Sequence, residues 1–87
     1  MTRARSHLLV VDDDEGLRDL LVRYLADNGY AVVGVADGEA MKRHLACQPV
    51  DLVLLDVMLP GEDGLSLARA LSTQGGPAII MLSARGQ

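Results

Sequence analysis

Four apolar runs, none longer than six residues, divide the chain: "LLVV" at 8–11, "AVVGVA" at 31–36, "LVLL" at 52–55 and "AIIML" at 78–82. Each is continuous instead of alternating with polar residues, the pattern of strands covered on both faces, and this points to a parallel sheet sandwiched between helices. The segment after the first run supplies such a helix. Leu17, Leu20, Leu21, Tyr24 and Leu25 fall at the spacing of one helical face, and Asn28-Gly29 stops it. A second helix is expected to open on Asp37 as its N-cap, turn Met41 and Leu45 inward and end before Gln48-Pro49. A third runs from about Asp63 through Leu65, Ala68 and Leu71 to Gly75-Gly76-Pro77. The resulting order, β-α-β-α-β-α-β, requires right-handed crossovers and predicts an open α/β sheet with helices on both faces.

Composition narrows what such a fold can do. The 87 residues suffice for one small domain, and a hydrophobic share of 49% with two Tyr as the only aromatics predicts an aliphatic core. A formal net charge of −4 argues against direct binding of nucleic acid or an anionic membrane, and favours a cation or a basic partner. No apolar stretch approaches the roughly 18 residues of a membrane span. The lone Cys47 excludes an internal disulfide, and no secretory leader opens the chain, so a cytoplasmic setting is expected. Cys47 reads as an inert packing residue; only His44 and Lys42 stand near it to support a reactive thiol. His7 and His44 read as surface or packing residues.

In open α/β sheets, ligands bind beyond the carboxyl ends of the strands. Those ends carry "DDD" at 12–14, "ADG" at 36–38, "DVMLPGEDG" at 56–64 and "SARGQ" at 83–87. If the first and third strands are neighbours, Asp12, Asp13 and Asp56 converge, and their mutual repulsion is offset if a divalent cation binds among them. An all-oxygen set without Cys or His at zinc spacing suits Mg2+. Taken alone, "DDDE" reads more readily as acidic residues that cap a helix and complement its dipole, and Asp14 and Glu15 are assigned that role.

Together, "LLVVDDDEGLRDLL", "DLVLLDVMLPGEDGLSL" and "AIIMLSARG" resemble the receiver domain of bacterial two-component response regulators, in order and spacing over nearly the whole chain. "DVMLPG" and "LSARG" are most similar to the branch that acts as transcription factors. The resemblance implies a flavodoxin-like sheet of strand order 2-1-3-4. It also implies that Asp56 accepts a phosphoryl group from a sensor histidine kinase, and that Asp12, Asp13, Asp56 and the Met58 backbone carbonyl bind Mg2+. It assigns Ser83 a hydrogen bond to the phosphoryl group, Ala84 the small neighbour that leaves room, and Pro60 and Gly64 the shaping of the loop after Asp56. Ser83 by itself would read as a helix N-cap.

The family pattern continues with a fourth helix, a fifth strand bearing a Lys and an aromatic residue, and a fifth helix. This sequence stops at Gln87, and its one Lys, Lys42, lies in the second helical segment. The expectation is therefore a truncated receiver domain over 1–87, lacking the fifth strand and last helices and inclined to dimerise or exchange elements through an exposed edge. Two other readings stand beside it. One is a binding or dimerisation module that takes no phosphate. The other is a metal-dependent phosphatase, disfavoured because haloacid-dehalogenase-like enzymes carry a second acid two residues beyond the nucleophile, where this chain has Met58.

Overall fold

The computed structural model describes residues 5–59 and 63–82. Seven elements follow one another: β1 (His7–Val11), α1 (Glu15–Asp27), β2 (Ala31–Val35), α2 (Gly38–Cys47), β3 (Leu52–Asp56), α3 (Gly64–Thr73) and β4 (Ala78–Leu82). The strands form one parallel sheet, as the apolar runs predict, in the order β2-β1-β3-β4 that the family resemblance implies.

Register sorts the side chains onto two faces. Leu9 lies level with Val53, and Val53 with Ile79; Val11 lies level with Val35 and Leu55, and Leu55 with Met81. These residues join Met41 of α2 and Leu67 of α3 in one continuous aliphatic core. Because successive strand residues point to opposite faces, Leu8, Val10 and Gly34 belong to the other side. There α1 lies over β2, with the stems of Arg18 and Val22 against Gly34.

Helix boundaries follow the local chemistry. Asp14, Asp37 and Asp63 each hold extended backbone and accept a main-chain N–H of the following turn, from Leu17, Ala40 and Leu65 respectively. Such caps satisfy donors the helix leaves orphaned, each worth roughly 0.5–2 kcal/mol against Ala. Gly29 and Gly75, with φ of 96° and 69°, take the left-handed turn after α1 and α3, a conformation that only glycine adopts without strain.

Three details differ from the sequence expectation. β2 and β4, the outer strands among the described residues, are not covered on both faces: Val33 and Ile80 stay substantially exposed. On the helices, Leu20 and Tyr24 of α1 and Leu65 of α3 face solvent; Leu67 takes the buried position in α3, since Leu65 lies in the first turn beside the cap. Cys47 ends α2 and is exposed, so it is not a packing residue.

Candidate functional site

The carboxyl ends of β1 and β3 are adjacent, and there the sheet changes character within one residue. Val11 and Leu55 are wholly buried and aliphatic; the next residues, Asp12 and Asp56, are 0% and 2% exposed yet carry carboxyl groups. Asp13 follows at the surface. One carboxylate oxygen from each of Asp12, Asp13 and Asp56 lies within 4.8 Å of the other two. The strand pairing thus brings together the three carboxylates that the sequence predicted to converge.

Main-chain donors aim two of them. Asp12 Oδ1 accepts the Asp14 N–H at 2.9 Å, and Asp56 Oδ1 accepts the Met58 N–H at 3.0 Å. Each carboxylate thereby closes a small turn over its own strand end. Asp12 is further tied to β2, because its N–H donates to the Val35 carbonyl at 3.1 Å. Its second oxygen, Oδ2, is buried without a hydrogen-bond partner. Such an atom is costly to leave unmatched and suits a ligand that brings positive charge.

Electrostatics agree. Burial pushes the Asp12 carboxyl above its ordinary range, the charges of Asp56 and Asp13 push it the same way, and the Asp14 N–H partly opposes them. Desolvation and like charge thus act together on one carboxyl, a cost that a bound cation would relieve. The donor set fits Mg2+: three carboxylates, oxygen only, one with an orphaned oxygen.

The loop beyond Asp56 is shaped by contact. A Cβ on Gly64 would stand 2.5 Å from the Asp56 carbonyl oxygen and 2.8 Å from the Val57 Cα, so the start of α3 rests directly on the backbone of the third strand end. Gly64 N–H donates to the Val57 carbonyl, and Leu59 drops into the core next to exposed Met58. Pro60, Ser83 and Ala84 lie outside the described residues. Two participants escaped the sequence reading. Arg18 on α1 donates from Nη1 to the Asp12 carbonyl at 3.0 Å, across the bare backbone of Gly34. The available signal was the glycine interrupting "AVVGVA", since a glycine inside a strand often marks a close approach by another part of the chain.

A parallel sheet in the order β2-β1-β3-β4, with acidic groups where its two central strands end, is a doubly wound α/β arrangement with those groups at its switch point. The chain belongs to the response regulator receiver domain family, which residues 8–87 match. It is 46% identical over its full length to protein PetR of Rhodobacter capsulatus, and 46% identical over 90% of its length to the transcriptional regulatory protein AruR of Pseudomonas aeruginosa. The chain spans 37% and 34% of the length of these two curated relatives. Among solved structures it resembles a response regulator receiver protein from Pseudomonas putida, with a TM-score of 0.87 and 32% identity over 94% of this chain and 70% of that one. The BeF3-activated receiver domain of Klebsiella pneumoniae RstA is similar too, at TM-score 0.81 and 36% identity over 87% of this chain and 65% of that one. No described helix is long and apolar enough to cross a membrane.

Proposed function

We propose that this receiver domain accepts a phosphoryl group on Asp56 from a sensor histidine kinase, within a cytoplasmic two-component pathway. The observation that carries the reading is the convergence of Asp56 with buried Asp12 and with Asp13 at adjoining strand ends. Asp56 Oδ1 is held by the Met58 N–H, which leaves Oδ2 as the nucleophilic oxygen. That oxygen forms a bond to phosphorus as the donor's leaving group departs, giving an aspartyl phosphate on the chain. Asp12, Asp13, Asp56 and the Met58 carbonyl would hold Mg2+, whose charge offsets the repulsion between two anionic reactants. Ser83 is assigned the hydrogen bond to the transferred group.

The domain works as a regulatory element acting on its own side chain rather than as an enzyme turning over a small substrate. Borohydride trapping tests the acceptor: after incubation with acetyl phosphate, reduction of an aspartyl phosphate yields homoserine at position 56. Homoserine at another position, or none, would remove Asp56 from the role.

A further inference from the structure

We infer that Arg18 is a positioning residue for the acidic site: its guanidinium holds the turn after β1 so that the Asp12 carboxylate stays aimed at Asp56 and Asp13. The inference rests on the metal-binding reading above for its consequence, and on geometry for its substance.

Arg18 lies on the half-buried face of α1, and its Nη1 donates to the Asp12 carbonyl at 3.0 Å. To reach that oxygen from α1, its stem lies against Gly34 of β2, in register beside Val10. A Cβ at position 34 would come within 2.9 Å of Arg18 Cγ and 3.0 Å of Val22 Cγ2. Contacts so close to the middle of a side chain would force the stem to move. Gly34 therefore leaves the passage that the arginine occupies, and Arg18 and Gly34 act as a pair.

The Asp12 carbonyl sits at the pivot of the turn. On one side the Asp12 N–H is fixed to Val35 of β2; on the other, Asp12 Oδ1 is fixed by the Asp14 N–H, and the Asp14 carbonyl accepts the Arg18 N–H at 2.8 Å. Arg18 thus grips the turn twice, by main chain and by side chain. A charge-assisted bond from a planar guanidinium is stronger and more directional than a neutral one. Without it, the peptide between Asp12 and Asp13 can rotate, and the carboxylates of both residues move with it. The guanidinium also places a positive charge against the main chain of the acidic cluster.

Amide hydrogen exchange in the metal-free protein decides the matter, because the Asp14 N–H reports the Asp12 carboxylate directly. Arg18→Met, which keeps an unbranched stem, should speed exchange at Asp14 on the order of tenfold while Leu55 in β3 is unchanged. Arg18→Lys should restore part of the protection, and Gly34→Ala should reproduce the loss by displacing the stem. Adding Gly34→Ala to Arg18→Met should change Asp14 exchange little further. In parallel, Mg2+ titrations should show weaker binding for Arg18→Met and Gly34→Ala by several-fold. Unchanged Asp14 exchange in Arg18→Met, or equal acceleration at Asp14 and Leu55, would overturn the inference. If the parent chain binds no Mg2+, the metal-binding reading falls, and the exchange comparison still decides the role of Arg18.

Discussion

The inner and outer strands of this sheet are built from similar residues and live in different surroundings. β1 and β3 carry Leu and Val that are mostly buried, and a buried Asp follows β1 and ends β3; β2 and β4 carry Val, Ile, Met and Leu that are exposed or half-buried. The difference comes from position. An inner strand is hydrogen-bonded on both sides and covered on both faces, so the residue that terminates it is held rigidly even when charged. That rigidity lets Asp12 and Asp56 be desolvated without drifting apart. An outer strand has the same propensity and, with a hydrogen-bonded neighbour on one side among the described residues, lacks that constraint.

Substitutions at the two positions should separate these environments. Leu55→Ala empties a fully buried place beside the acidic end of β3 and should cost about 2–5 kcal/mol in urea unfolding, the largest effect expected. Gly64→Ala drives a methyl group into the backbone of Asp56 and Val57 and should cost roughly 1–3 kcal/mol, with loss of cation binding as the strand end shifts.

Asp12→Asn tests the charge itself. Burial raises the Asp12 carboxyl above its ordinary value of 3.8, so the folded chain binds this proton more tightly than the unfolded chain does. The favourable contribution is complete below 3.8 and is lost as pH rises through the raised folded value. Metal-free protein should therefore lose stability over that window in urea titrations. Asp12→Asn should remove this part of the slope, raise the midpoint at neutral pH and abolish stabilisation by Mg2+. Ile80→Thr, at the half-exposed outer strand, should change stability by less than about 1 kcal/mol, since it alters little buried surface. A loss as large as that of Leu55→Ala would erase the distinction between inner and outer strands.

Much of this was legible in the sequence because it depended on local pattern. The apolar runs placed the strands, Asp37 and Asp63 marked helix starts, and Asn28-Gly29 marked a helix end. Convergence of Asp12, Asp13 and Asp56 followed once β1 and β3 were taken as neighbours. Exposure was less legible, because a continuous apolar run has the same composition at the edge of a sheet as at its centre; Val33 and Ile80 illustrate this. Leu65 misled because helical periodicity does not by itself fix which apolar residue in the first turn reaches the core. The Arg18 bond to the Asp12 carbonyl was hidden for a different reason. It depends on the crossing of α1 over Gly34; the glycine inside the second apolar run marks a close approach, and which side chain makes it depends on a relation between segments.

The most direct test of the account is intact mass after incubation with acetyl phosphate, with and without Mg2+, for the parent chain and Asp56→Asn. The account predicts one phosphate adduct on the parent that requires Mg2+ and is absent from Asp56→Asn. A folded parent chain with no adduct, or an adduct that persists at the same level in Asp56→Asn, would contradict it.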